Sequence, residues 1–344
     1  MKRKISKTGV VLAAAFAAQL GAGSAALAAD LTKVDVLLPL PEGIPFASLI
    51  VARERGYFAD QGLEITTSVA DGSGYLAQQV VAGNRDFALM GAADAVVAFN
   101  RRNDVRVIFC NQVNNVYRIV ARADTGITSV EGLRGKALGY TEPGGGESQL
   151  VSAAIASAGL EVNRSITLLP IGPAGPQSLL ALQRDTVQAY SSSFPDVAVL
   201  AASGIEWTDI TPARYANVPG ACMVTTEEVL ATDAGMKVAE ALTFGWVAGQ
   251  YDMIANPDEA FGMVCAAVPA ACENGDVSRA LFDEALKLVT PPEGQRPGEL
   301  RLSSWETVVE ILASTETVPA DLDVTPMISG GKVEAIVAKA YAGR

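Results

Sequence analysis

The stretch from residue 45 to residue 69 constrains the fold more than any other part of the chain. Its first half carries apolar residues at helical spacing, and Pro45 suits a first helical turn, where a missing backbone N–H costs nothing. Gly62 ends the helix, and residues 63–68 then alternate in the way that a half-buried strand does. Because the apolar run 34–40 precedes it, the segment predicts a strand–helix–strand unit of the α/β kind.

The same kind of unit recurs later in the chain. The second series is predicted as strand 136–140, loop 141–146, helix 147–158, strand 166–169, helix 177–184 and strand 187–191. From residue 221 the pattern is mostly helical, with helices expected at 226–232, 234–254, 257–267, 277–289 and 304–313. A chain of 344 residues is too long for one small core, so two lobes are expected. We assign residues 29–120 to the first part of lobe I and residues 121–220 to lobe II.

The N-terminus has the composition of a secretory signal peptide. Residues 1–4 are basic apart from the initial Met, residues 10–20 are almost wholly apolar, and residues 26–29 are small. We therefore predict a signal peptide over residues 1–28 and a mature chain that begins near Ala29. The alternative is an uncleaved membrane anchor, but the apolar run is rich in Ala and Gly and is weak as a spanning helix.

The composition excludes several classes of function. The formal net charge is −12, which makes nucleic acid an unsuitable partner. The chain has no histidine, so the commonest general base and metal ligand is missing. Gly135-Lys136 does not form a phosphate-binding loop, because Ala137 stands where Ser or Thr is required. We expect no enzyme activity, no metal and no cofactor.

The four cysteines form no metal-binding pattern. Cys265 and Cys272 flank Pro269, and an exported chain could join them in a short disulfide loop or bury both as thiols. Cys110 ends the apolar strand 105–110 and is interpreted as a core residue.

Three segments resemble a known family. Residues 45–65 (PFASLIVARERGYFADQGLEI), 82–88 (AGNRDFA) and 120–140 (VARADTGITSVEGLRGKALGY) resemble the solute-binding proteins of ABC importers. The resemblance is to the sulfonate, nitrate, taurine and thiamine-pyrimidine branch, called the SsuA/THI5-like or NMT1-like family. It covers most of the first 150 residues after the signal peptide and is weak beyond residue 221.

This resemblance implies an architecture and a role. The fold would be the type II periplasmic binding fold, in which two α/β lobes enclose a cleft and a two-segment hinge joins them. Residues 221–344 would return to lobe I. The protein would be a periplasmic monomer that delivers a small solute to an inner-membrane permease driven by a cytoplasmic ATPase. The family also includes thiamine-pyrimidine synthases. These enzymes consume a histidine and a pyridoxal cofactor, and this chain has no histidine.

The predicted binding residues lie on loops at the carboxyl ends of strands, where open α/β sheets bind ligands. A glycine loop that opens a helix leaves N–H groups uncovered, so Gly144 to Gly146 suit an anionic group. Arg118 is a charged residue in an apolar strand and binds either an anionic ligand or a protein carboxylate. Asp94 is interpreted as a helix cap. The predicted ligand-binding set is Pro45, Phe46, Gly74, Tyr75, Ala92, Asn114, Arg118, Gly144, Gly145, Gly146, Glu147, Ser148, Ser192, Ser193 and Asp196.

The glycine loop and Arg118 together favour an organic anion, such as a sulfonate or a carboxylate, as the solute. The alternatives are a neutral heteroaromatic compound, such as a thiamine-pyrimidine precursor or a flavin, stacked on Phe46 or Phe194, or an enzyme or sensory protein on the same fold.

Overall fold

The computed structural model describes residues 31–70 and 72–342. The predicted signal peptide and its cleavage site lie outside these residues. Within them, no helix combines the length and the apolar character that crossing a membrane requires.

Ten strands form two separate sheets. The strands are β1 (Thr32–Leu38), β2 (Leu63–Val69), β3 (Ala88–Gly91), β4 (Val105–Cys110), β5 (Tyr117–Arg122), β6 (Ala137–Tyr140), β7 (Thr167–Pro170), β8 (Ala189–Ser193), β9 (Trp207–Asp209) and β10 (Ala221–Thr226). The first sheet has the order β2-β1-β3-β10-β4 and the second has the order β7-β6-β8-β5-β9. Each sheet is mixed, because β10 runs antiparallel to β3 and β4, and β5 runs antiparallel to β8 and β9.

Helices flank both sheets. They are α1 (Ala47–Glu54), α2 (Ser73–Val81), α3 (Ala92–Arg101), α4 (Ser148–Ser157), α5 (Pro176–Gln183), α6 (Phe194–Ala202), α7 (Glu227–Leu230), α8 (Asp233–Ala255), α9 (Pro257–Ala267), α10 (Gly275–Val289), α11 (Leu302–Ala313), α12 (Thr325–Ser329) and α13 (Lys332–Ala340). Two α/β lobes result, as the sequence predicts. We call the lobe built on the first sheet lobe I and the lobe built on the second sheet lobe II.

Several elements differ from their predicted form. The predicted binding residues 192–196 do not lie on a loop, because strand β8 runs to Ser193 and helix α6 begins at Phe194, where Pro195 suits a first helical turn. Residues 128–131, with Thr128 and Glu131 three positions apart, have the pattern of a capping box, which predicts a helix, but only a 3-10 turn, Val130–Leu133, forms there. Strand β9 and the helices α12 and α13 have no counterpart in the sequence prediction.

Two chain segments, 111–116 and 210–220, connect the lobes. They are hydrogen-bonded to each other, since the N–H of Gly220 donates to the carbonyl of Gln112 over 3.0 Å. The side chain of Gln112 also accepts from the N–H of Ala221 over 3.2 Å and donates to the carbonyl of Pro45 over 3.0 Å. We call this pair of segments the hinge.

Two disulfides are present. Cys110 is buried, as expected of a core residue, but it is also bonded to Cys222, directly across the β4–β10 pair. This bond joins the two strands at the points where the hinge segments leave the first sheet. Cys265 and Cys272 are also bonded, which is the disulfide alternative for that pair.

Helix α1, which opens the family-like segment, packs closely on α8. A Cβ atom built on Gly249 of α8 would lie 2.1 Å from the carbonyl oxygen of Ser48 and 2.8 Å from Cβ of Ala52. Beside this contact, the indole N–H of Trp246 lies 3.0 Å from both Ser48 Oγ and Asn111 Oδ1. A glycine is therefore required where the two helix backbones meet.

We expect Gly249→Ala to lower the free energy of unfolding by about 1–3 kcal/mol, because the new methyl group meets backbone atoms that cannot move independently. Gly262→Ala is the matched control, since Gly262 is exposed in helix α9 and a methyl group added there would have no neighbouring atom within 4 Å. That variant should gain about 0.5–1 kcal/mol from helix propensity. Urea denaturation measures both changes, and equal stabilities for the two variants would contradict the packing described here.

Candidate functional site

A cavity of about 140 Å³ lies between the two lobes. The cavity residues from lobe I and the hinge are Pro39, Leu40, Pro45, Phe46, Gly72, Ser73, Gln112, Val116 and Ala221. Those from lobe II are Tyr117, Thr141, Glu142, Gly146, Glu147, Pro173, Ser192, Ser193, Phe194, Pro195 and Asp196. Both lobes and the hinge therefore contribute to one site.

The lobes touch each other beside this cavity. A Cβ atom built on Gly72, which has a φ of +80°, would lie 2.9 Å from the carbonyl oxygen of Gly144. One built on Gly74 would lie 3.3 Å from the same atom. The N-terminal end of helix α2, residues 72–74 of lobe I, thus rests directly on the glycine loop of lobe II, and the structure is a closed form.

Tyr117 makes a second contact between the lobes. It stands at the start of β5, and its side chain is hydrogen-bonded to Ser73, whose Oγ accepts from the N–H of Gly91 over 3.2 Å. Burial raises the pKa of the Tyr117 hydroxyl, and the nearby Asp94 adds to the shift. Cβ atoms built on Gly91 and Gly146 would lie 2.7 Å and 2.0 Å from that hydroxyl oxygen. Glycines at both positions give the tyrosine its space.

Tyr117 was not among the predicted binding residues, because the charge of the adjacent Arg118 is the more unusual feature of this strand. Side chains alternate along a strand, so adjacent residues of β5 point to opposite faces. Tyr117 lines the cavity, whereas Arg118 lies in a separate depression with Glu284 at 3.3 Å and Asp209 at 3.8 Å. It also donates to the carbonyl of Asn115 over 2.5 Å. The structure therefore gives Arg118 protein carboxylates as partners.

Glu147 is a buried carboxylate at the cavity wall, with 3% of its surface exposed. Its Oε1 accepts from the N–H of Thr141 over 3.1 Å and from the Thr141 hydroxyl. Burial raises the pKa of Glu147, and the hydrogen bonds from Thr141 act against that shift. A Cβ atom built on Gly145 would lie 2.7 Å from Glu147 Oε2. The space over this part of the glycine loop, which we expected an anion to occupy, is filled by the chain's own carboxylate.

Asp94 lies close to the contact between the lobes, in the first turn of α3. It is 6% exposed, and its Oδ2 has no hydrogen-bond partner among the described residues. No side-chain capping bond is present at this helix, whose neighbouring residues are all described, so the cap interpretation of Asp94 is wrong. Burial, with a further contribution from Glu147, raises the pKa of Asp94 to about 8. The burial of Asp94 could not be predicted, because a single buried acidic side chain leaves no periodic pattern in the sequence.

The opposite wall is the start of helix α6. Asp196 accepts from the N–H of Ala174 over 2.9 Å and from the Ser192 hydroxyl. Phe194 and Pro195 add apolar surface beside it. With Glu142 and Glu147, Asp196 makes three acidic side chains in the lining, and among the described residues no Lys or Arg accompanies them there.

The cavity takes in about half of the predicted binding set. Pro45, Phe46, Gly146, Glu147, Ser192, Ser193 and Asp196 line it, while Gly74, Tyr75, Ala92, Asn114, Arg118, Gly144, Gly145 and Ser148 do not. Asn114 instead donates to the carbonyls of Lys287 and Thr290 over 3.2 and 3.1 Å, which ties the hinge to α10. Tyr75 is 49% exposed. In residues 31–70 and 72–342, no three Asp, Glu or Cys side chains are grouped as a metal site requires.

We expect stability to depend on pH through Asp94. Its pKa is about 8 in the folded chain and ordinary in the unfolded chain, so between those values only the folded chain holds the proton. The free energy of unfolding should therefore fall as the pH rises towards 8 and level off above it. Asn does not titrate, so Asp94→Asn lacks this pH-dependent fall. The free energy of unfolding of the variant minus that of the wild type should therefore increase by about 1 kcal/mol or more from pH 5 to pH 8. Urea denaturation across this range tests it, and a constant difference would contradict the assignment.

Comparison with known proteins agrees with this architecture. The family model described as NMT1/THI5 like matches residues 44–260, more than half of the chain. The riboflavin-binding protein RibY of Chloroflexus aurantiacus is 22% identical over 260 residues, which are 74% of this chain and 72% of that protein. The periplasmic nitrate-binding protein NrtA of Synechocystis PCC 6803 superposes with a TM-score of 0.67 at 15% identity, over 91% of this chain and 89% of the other.

The alkanesulfonate-binding protein SsuA of Xanthomonas axonopodis pv. citri, in complex with MOPS, gives a TM-score of 0.64 at 14% identity, over 87% of this chain and 99% of the other. These two superpositions establish the periplasmic binding protein fold, as predicted. With the family model matched over residues 44–260, this chain belongs to the NMT1/THI5-like family.

Proposed function

We propose that this protein captures one small solute in the periplasm and delivers it to an ABC permease, without transforming it. The observation that carries the proposal is the cavity shared by two lobes that are joined through a hinge and touch at its rim. A ligand in that cavity touches both lobes at once, so it binds the closed form more tightly than an open one. The permease would then recognise the closed form.

The charge of the lining argues against the organic anion that the glycine loop suggested. Two like charges 4 Å apart repel by about 4 kcal/mol at an effective dielectric constant of 20. A helix N-terminus stabilises an anion by about 0.3–1 kcal/mol, and at most by about 2 kcal/mol. An anion near Glu147 or Asp196 would meet the larger, unfavourable effect. We therefore favour an uncharged or cationic solute over a sulfonate or carboxylate.

The apolar part of the lining suits a ring. Phe46 and Phe194 come from different lobes, and Pro39, Leu40 and Pro195 add apolar surface to the same cavity. Polar side chains from both lobes converge on the same cavity, as in sites that orient one small molecule. The similarity to a protein named for riboflavin binding supports the heteroaromatic alternative over the anion.

Closure can be tested through the contact between Gly91 and Tyr117. The backbone at Gly91, with φ −60° and ψ 145°, accepts an alanine, but the new methyl group would press on the Tyr117 hydroxyl from the other lobe. We expect Gly91→Ala to raise Kd about tenfold or more for any solute that stabilises the wild type. Tyr117→Phe in the same chain removes the obstructing oxygen and should recover part of the loss.

The solute would be found by a thermal-shift screen of sulfonates, nitrate, pyrimidines and flavins, since a ligand at 100 times its Kd adds about 2.7 kcal/mol of stability. Small-angle scattering then reports closure as a smaller radius of gyration. Tyr117→Phe alone is the control for the lost hydroxyl. Wild-type affinity in Gly91→Ala, or an unchanged radius at saturating solute, would overturn the mechanism of two-lobe capture.

A further inference from the structure

The closed cleft holds two buried carboxyl groups that no cation of the described chain balances. Glu147 belongs to lobe II and Asp94 to lobe I, and both are more than nine-tenths buried. Within residues 31–70 and 72–342, neither forms an ion pair with Lys or Arg. Helix N-termini lie beside both groups, but a helix end offsets only part of the desolvation of a charge.

Glu42, a partly buried carboxylate of lobe I, shows how this chain balances such a charge. Glu42, on the loop after β1, pairs with Arg53 over 2.6 Å and accepts from the hydroxyl of Thr67 over 2.6 Å. Burial acts to raise the pKa of Glu42, but its bonds to Arg53 and Thr67 prevail and lower it. No equivalent cation accompanies Glu147 in the described residues. Its compensation is therefore expected from outside the chain.

Glu147 is also held in one orientation. Both hydrogen bonds from Thr141 end on Oε1, and the backbone N–H of Glu147 also interacts with the carboxylate. Gly146, Ser73 and Tyr117 line the cavity around the same end. A planar carboxylate with one oxygen fixed suits a donor group that enters from the cavity.

We propose that the solute carries a positively charged nitrogen group, an ammonium or an amidinium, that binds against Glu147 with Asp94 as the second carboxyl behind it. The remainder of the solute would lie between Phe46 and Phe194. This inference rests on the proposed function, because it assigns the chemistry of the same cavity. It also makes Glu147 the residue that determines specificity for charge.

Three probes of nearly the same shape test the charge directly. Benzamidine is cationic, benzamide is neutral and benzoate is anionic, and each carries a single ring. Thermal-shift and calorimetric titrations of the mature protein at pH 7 should give benzamidine a Kd at least about tenfold below that of benzamide, as expected of a charge-assisted hydrogen bond. Benzoate should bind more weakly than both.

Variants assign the preference to its residue. Glu147→Gln keeps the shape of the side chain and should abolish the preference for benzamidine over benzamide. Asp94 holds its proton at pH 7 in the free protein, so Asp94→Asn should change the preference much less. Glu161→Gln is the matched control, because Glu161 is exposed on lobe II and already pairs with Arg164 over 2.7 Å. If Glu147→Gln does not fold, the probe series measured in wild type still decides whether the cavity prefers a cation.

The inference is overturned if benzamidine binds no better than benzamide, or if its advantage persists in Glu147→Gln. Should riboflavin or another uncharged solute close the protein in that case, the proposed function stands and only the charge assignment fails. Conversely, a preference for benzamidine that depends on Glu147 without a smaller radius of gyration would support the charge assignment and contradict capture by lobe closure.

Discussion

The desolvation of carboxyl groups between the two lobes is the constraint on which the closed structure depends. Asp94 and Glu147 belong to different lobes and are both buried in the closed form. Taking an unpaired carboxylate out of water costs several kcal/mol, so the closed form requires a proton or a positively charged partner at this place. The raised pKa values of both groups are the signature of that cost. A solute that removes it would favour closure, which links recognition to conformation.

The hinge is the connection about which the two lobes would close over these carboxyl groups. The two connecting segments are bonded to each other through Gln112, and the disulfide between Cys110 and Cys222 fixes the points where they leave lobe I. Asn114 anchors the first segment to α10. We expect any movement of the lobes to occur mainly as rigid bodies about this narrow connection.

Much of the fold could be predicted from the sequence, because glycine-terminated helices and alternating strands are local signals. The order of α/β units in both lobes follows from such signals, and so does the position of the loops at the cleft. Helix α6 was missed because its first residues, Phe194 and Pro195 after three serines, also have the composition of a loop. The bond between Cys110 and Cys222 spans 112 residues and depends on β10 returning to β4, which no local pattern reveals.

The site was harder to predict than the fold. Glu147 and Asp196 were identified because they closely follow strands in the sequence, but the ligand chemistry that they indicate changed once their burial and partners were known. Arg118 was expected to attract an anion, yet strand alternation turns it away from the cavity and brings Tyr117 in. The charge of the site follows from which side chains pair with each other, and only the folded chain determines that.

Closure of the two lobes around the solute can be tested by measuring the distance between them. Spin labels at Gln78 of α2 and Gln183 of α5, both exposed and on different lobes, report lobe separation by double electron–electron resonance. With a solute that raises the melting temperature, we expect one narrow distribution of label-to-label distances at the value of the closed form. Without the solute, we expect a broader distribution at longer distances. An identical distribution in both conditions would contradict the claim that this protein recognises its solute by closing two lobes around it.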